Sequence, residues 1–152
     1  MKKILQQLLQ TENALHLLVL RLIVAIAIFP HGAQKALGWW GGYGFEGTMG
    51  FFTSKLGIPY VFALLAIAAE FLAPLALVLG LTSRIAAFGI GFTIATAAFM
   101  AHIQNGFFID WMNTQQGAHG IEYHILLAGA SLAVVIGGAG RWSLDRLIAR
   151  RL

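Results

Sequence analysis

Four stretches of this chain are apolar for long enough to cross a lipid bilayer, and this constrains its fold more than any other feature. A spanning helix needs ~20 predominantly apolar residues, within a range of roughly 17–25. The stretches lie at about 15–37, 60–81, 85–103 and 122–138. The whole chain is 59% hydrophobic and 11% charged, with a mean hydropathy of +0.77. A soluble domain carries about 25% charged residues. The net charge of +4 comes from few, scattered basic residues, which argues topology and not nucleic acid. There is no cysteine. Disulfides, thiolate metal sites, iron–sulfur clusters and CxxC chemistry are therefore excluded, and any redox role must use a bound cofactor or a partner.

The first residues, "MKKILQQLLQTENALHLL", begin like a signal peptide. Gln, Thr, Glu and Asn then interrupt the apolar part, so no cleavage is expected. Ile4, Leu5, Leu8 and Leu9 share one face opposite Lys2, Lys3, Gln6, Gln7 and Gln10, the pattern of a surface helix over about 2–10. A second amphipathic helix is expected over about 143–151. Residues 38–59 and 104–121 are long loops, and "TSR" at 82–84 is a tight turn. Phe45–Leu56 is a candidate half-helix within the first loop. If both termini face the cytoplasm, Lys2, Lys3, Arg84, Arg141, Arg146, Arg150 and Arg151 lie on that side and only Lys35 and Lys55 on the other, as the positive-inside bias requires. Trp39, Trp40, Tyr43, Tyr60, Trp111 and Tyr123 then fall near the outer interface. The expected fold is a single all-α membrane domain, an antiparallel four-transmembrane-helix bundle with both termini cytoplasmic. Small residues recur at every fourth position, at Ala87, Gly91 and Ala95 and again at Gly129, Ala133 and Gly137. They suit close helix packing within the chain or across a homodimer.

Ionisable residues inside the spans are the candidates for chemistry. Glu70 sits at the middle of the second span and Arg21 about six residues into the first. A charge at the bilayer centre costs ~2.5–3.5 kcal/mol on insertion scales, so it faces the interior and finds a partner or neutralises. One reading pairs Glu70 with Arg21 as a brace between spans; the other makes Glu70 a proton- or ligand-binding carboxylate poised by Arg21. Pro74, four residues on, removes the donor that would bond the Glu70 carbonyl.

Topology gathers a second group at the outer level: His31 and Lys35, four apart on one face, His102 at the end of the third span, and His119, Glu122 and His124 at the start of the fourth. Glu122 and His124 are two apart, so at most one points inward. Three readings of this cluster remain open. The histidines are interfacial and bonded to water or backbone; or they form a pocket for a polar head group, such as a quinone ring or an anionic substrate; or they hold a metal or haem, with His31, His102 and His124 as ligands. No pair has the spacing of a strong metal motif. "GWWGGYG" lacks the Lys-Ser/Thr of a phosphate loop, and there is no GxSxG.

The order of these pieces resembles a family. An early Arg in "LRLIVAIAIFPHGAQKALG", a Gly/Phe-rich loop closing on "FFTSKLGIP", a mid-span Glu in "AAEFLAPLALVLGLTSRIAA", His102, and "GGAGRWSLDRL" are together similar to the DoxX family of bacterial inner-membrane proteins, over about Leu20 to Leu147. The resemblance implies a four-helix membrane protein of a class described as oxidoreductase components. Similar proteins include a quinone-linked subunit of thiosulfate oxidation and a membrane partner of redox-stress defence, and some relatives sit beside copper-handling systems. Arg21, His31, Lys35, Glu70 and His102 match recurring polar positions, and Gly138, Gly140, Ser143, Leu144 and Asp145 the closing motif. Relatives often show Gly-Pro-Gly where this chain has Gly138-Ala139-Gly140. The two glycines suit a left-handed cap on the last span, and Ser143 suits the cap of the following helix.

Three functions follow. The first is a component of a redox system that binds a quinone or similar molecule in the outer half of the bundle through His31, Lys35, His102, His124 or Glu122, with Glu70 and Arg21 as the proton site. It acts with a redox partner protein or a bound cofactor; haem and copper stand behind quinone as candidates. The second is a small transporter or a copper- or zinc-handling protein. The third is a membrane anchor for a soluble enzyme. In all three the lipid bilayer is a partner and nucleic acid is not.

Overall fold

The computed structural model describes residues 2–112 and 118–152, which form helices and no strand. In chain order these are α1 (Lys2–Leu9), α2 (Leu15–Leu37), α3 (Gly44–Gly50), α4 (Tyr60–Leu79), α5 (Ser83–Ala97), α6 (Glu122–Gly137) and α7 (Leu144–Ala149). α3 continues as a π-wound turn through Lys55. α5 continues as a π-wound turn over Ala98–His102 and a 3-10 turn over Ile103–Asn105. α2, α4 and the continuous helix Ser83–Asn105 are long and apolar enough to cross a membrane; α6 is apolar but only 16 residues long.

α2 packs on α4, α4 on α5, α5 on α6 and α6 back on α2. Val24, Ile28, Leu77, Ala87, Ile90, Leu127 and Val134 fill the space between them. The outward faces carry large apolar side chains, among them Ile26 at 70% exposure, Phe92 at 64% and Leu126 at 69%. Such a surface is stable in hydrocarbon and a liability in water. α3 covers one flank, with Met49 on Ala63 and Ile67.

The end of the molecule that carries both chain termini is closed by side chains that cap helices. The last carbonyls of a helix have no intrahelical donor. Arg21, 1% exposed, supplies donors to the end of α4: it bonds the carbonyls of Leu77 and Val78 (the latter at 2.7 Å), and its other arm reaches the Trp142 carbonyl at 2.7 Å. Arg84 does the same for α6, bonding the carbonyls of Val135 and Ile136. Asp145, also 1% exposed, caps the start of α5, accepting from the amides of Thr82 at 2.6 Å and Ser83 at 2.8 Å. Its own amide bonds the Gly80 carbonyl at 2.8 Å. Gly80 turns the chain with φ +65, and a Cβ there would lie 2.8 Å from Ser143 Cα. Thus "LGLTSR" and "GAGRWSLD", apart in sequence, form one lock around Arg21. Ser143 caps α7, its hydroxyl accepting from the Arg146 amide.

Two expectations are corrected here. Arg21 does not brace Glu70, because the register of α2 on α4 sets it beside carbonyls seven and eight residues further along α4. Gly138 has φ 82 and ψ −162, which is not the left-handed helical conformation; it is held against Thr11, to which a Cβ would come within 2.9 Å. The two small-residue ribbons also differ. Gly91 faces Ser131 across the α5–α6 contact, whereas Gly129 faces nothing within 4 Å.

Candidate functional site

The opposite end, which carries the long loops, holds the polar site. Its foundation is the crossing of α2 and α4. Pro74 has no N–H, so the carbonyl of Glu70 lacks its helical donor. Gly32 lies directly on that carbonyl: a Cβ there would overlap Glu70 O and sit 2.6 Å from the Phe71 nitrogen. This backbone-to-backbone approach brings Lys35, on the next turn of α2, onto Glu70. The Lys35 ammonium and the Glu70 carboxylate form an ion pair, with their side chains 28% and 6% exposed.

A row of rings runs from this pair toward α5. His31 is 6.3 Å from Tyr123, Tyr123 is 5.9 Å from His124, and His124 is 4.3 Å from His102, all between ring centroids. His102 is carried in by the π-wound end of α5, a distortion common at functional sites. Its Nδ1 lies 3.0 Å from the His119 carbonyl. A carbonyl only accepts, so Nδ1 is the donor, and the neutral ring presents a bare Nε2. The His119 ring accepts at Nδ1 from the Asp110 amide at 3.3 Å, which leaves its Nε2–H free to donate. The loop before α6 is fixed over the site by Gly120 N–H to Phe108 O, Ile121 N–H to Gly106 O and Glu122 N–H to Phe107 O, at 2.8–3.1 Å.

Between these groups lies a cavity of about 440 Å³. Lys35, Glu70, His31, His102, His119, His124 and Tyr123 supply its polar wall, and Ile28, Ile94, Ala97 and Ile109 the apolar one. The volume falls within the ~300–1,000 Å³ of small-molecule sites, and apolar walls with a few convergent polar groups are their usual build.

Of the residues expected from sequence, His31, Lys35, Glu70, His102 and His124 line this cavity. Arg21 lies at the other end. Glu122 is not a lining residue, because its carboxylate accepts from the Ile109 amide at 3.1 Å and ties the loop down. Tyr123, read from sequence as an interfacial ring, instead stands between His31 and His124. Its signal was the interior face of α6: Tyr123 precedes the buried Leu127 by four, and Ser131 and Val134 continue the same face. Among the described residues no three His, Asp or Glu side chains are grouped so as to hold a metal ion.

The family model that describes DoxX matches residues 16–103. The chain belongs to the DoxX family. With three helices long and apolar enough to span, this DoxX protein is a multi-pass membrane protein. The matched segment runs from α2 to the π-wound turn of α5 and includes Arg21, His31, Lys35, Glu70 and His102. Tyr123, His124 and the closing segment lie beyond it. No curated protein and no solved structure is significantly similar to the chain.

Proposed function

We propose that this DoxX protein is the inner-membrane component of a bacterial redox system and binds a quinone, or a small molecule of like chemistry, in the cavity at its loop end. In this reading α2, α4, α5 and α6 all span as an antiparallel bundle. The terminal end, with Lys2, Lys3, Arg84, Arg141, Arg146, Arg150 and Arg151, faces the cytoplasm, and the loop end, with Lys35 and Lys55, faces outward.

The observation that carries the reading is a part-buried ion pair opening onto a largely apolar cavity that imidazoles and a phenol also line. A quinone has a flat apolar ring with two carbonyl acceptors. The Lys35 ammonium and the His119 Nε2–H are donors on the cavity wall, and either can bond a carbonyl oxygen. Reduction of such a ring to the quinol takes two electrons and two protons. The electrons come from a redox partner protein or a bound cofactor, since the chain has no cysteine to carry them. The protons are handled by this chain's own side chains. On reduction one proton passes to a ring oxygen from the Lys35 ammonium and the other from Nε2 of His102 in its doubly protonated form; on oxidation of the quinol the Lys35 amine and the bare Nε2 take them back, and Glu70 stabilises the recharged ammonium. Such ionisable groups within a membrane are by default part of a proton or ligand path.

The test is mass spectrometry of the gently purified protein, with an absorption spectrum and metal analysis of the same sample. One quinone-class molecule per chain, lost in Lys35→Met and in His102→Ala, is the expected result. A haem or stoichiometric copper would overturn the reading in favour of cofactor or metal chemistry at the histidines. A protein free of small molecules that also fails to take up added quinone would leave the anchoring role.

A further inference from the structure

A second cavity adjoins the first on the outward side of the α5–α6 contact. It is about 260 Å³ and almost wholly apolar, with Ala95, Ala98 and Ala128 as its floor and Phe99 and Ile125 on its rims. The rims are large and outward-facing, at 71% exposure for Phe99 and 51% for Ile125. The furrow is thus the depth of the side chains that alanine lacks. His124 lines this cavity and the polar one alike. Its ring is therefore the partition between the polar chamber and the lipid-facing surface. The π-wound turn Ala98–His102 forms part of both walls, since Ala98 borders the furrow and His102 the chamber.

We propose that the furrow holds the apolar tail of the ligand whose head group occupies the chamber, so that the protein recognises a tailed, membrane-dissolved amphiphile entering sideways between α5 and α6 past His124. This rests on the reading of the polar cavity as a head-group site and adds the class of ligand and its route. One feature favours a tail over a bilayer acyl chain resting there by chance: the furrow and the chamber share the His124 side chain as a wall. Lipid tails are as apolar as leucine, so the tail gains little by leaving the bilayer. What the furrow provides is a slot that a tailed ligand must use and a tailless one need not.

The test compares a tailless benzoquinone with the same ring bearing a decyl tail, titrated into the whole purified protein in one detergent. Ala128→Leu and, separately, Ala95→Leu fill the furrow at residues that do not line the chamber. The ratio of the two affinities in each variant, divided by the wild-type ratio, cancels partition into detergent. The expected result is about a tenfold loss for the tailed quinone, the usual scale for one side chain forced into a filled slot, with the tailless quinone within twofold of wild type. Unchanged binding of the tailed quinone in both variants would overturn the furrow and leave the chamber standing. Equal loss of both quinones in both variants, with unfolding midpoints unchanged, would also overturn it. If neither quinone binds wild type, the head-group reading itself has failed.

Discussion

Replacing Gly32 by alanine places one methyl group against the backbone of α4. The added carbon would overlap the Glu70 carbonyl oxygen and lie 2.6 Å from the Phe71 nitrogen, where ordinary contact begins at 3.4 Å. Backbone atoms cannot rotate aside, so α2 and α4 must part by roughly 1 Å at their crossing or distort. Overpacking of this kind costs ~1–3 kcal/mol. Against it stands the gain in helix propensity from Gly to Ala, ~0.8–1.0 kcal/mol. A contact this short with backbone atoms puts the overpacking cost at the upper end of its range, so the net loss is about 2 kcal/mol, or ~4–8 °C in unfolding midpoint for a chain of this size. Lys35 is one turn from Gly32, so the same displacement pulls its ammonium off Glu70. Gly32→Ala should therefore lower the detergent-solubilised midpoint and weaken quinone binding. Its effect on binding should be much smaller in a Lys35→Met background, where the pair is already gone. A midpoint equal to or above wild type, or losses of affinity that simply add, would refute the idea that Gly32 sets the ion pair.

Further expectations concern the two ends separately. Removing Lys35 leaves the Glu70 carboxylate, 6% exposed, without its cation; Lys35→Met should cost ~3–5 kcal/mol, and the Lys35→Met/Glu70→Gln double variant should recover part of it in chemical unfolding. Arg21 and Glu70 do not touch, so an Arg21→Met/Glu70→Gln cycle should be additive within ~0.5 kcal/mol; a larger coupling would restore the brace. Asp145→Ala strips the cap from α5 and should lower stability by ~1–3 kcal/mol while quinone affinity in the surviving folded protein stays within twofold. For topology, Met112→Cys in intact spheroplasts should react with a membrane-impermeant maleimide and Leu152→Cys should not; the chain's lack of cysteine makes each label unambiguous.

The helical character and the family were legible because long apolar runs and the order of motif pieces survive any uncertainty in packing. The partner of Glu70 was not. Both Arg21 and Lys35 were in view, but the choice between them depends on the register of α2 on α4, and the loop 38–59 between these helices is too long to set it. Once Gly32 seats on the Glu70 carbonyl, Arg21 falls roughly 10 Å along α4 from Glu70 at 1.5 Å per residue, and its side chain extends to the helix end, as long cationic side chains do near an interface. Pro74 was a readable clue that the Glu70 carbonyl was free; nothing in the sequence said that a glycine would occupy it. The gathering of His31, Lys35, His102 and His124 followed from topology, because all four stand near the same end of their helices. Glu122 and Tyr123 exchanged roles because one residue of rotation decides which side of α6 faces inward, and a loop amide at Ile109 claims the carboxylate.

The most direct test of where the ligand sits is photolabelling with an azido-substituted quinone, followed by peptide mapping of the labelled residues. Label should concentrate on residues 28–35, 94–102 and 119–124, and should be competed away by excess unlabelled quinone. Label spread over the outward apolar faces, or centred on Arg21 and the terminal end, would contradict a ligand site at the Lys35–Glu70 pair.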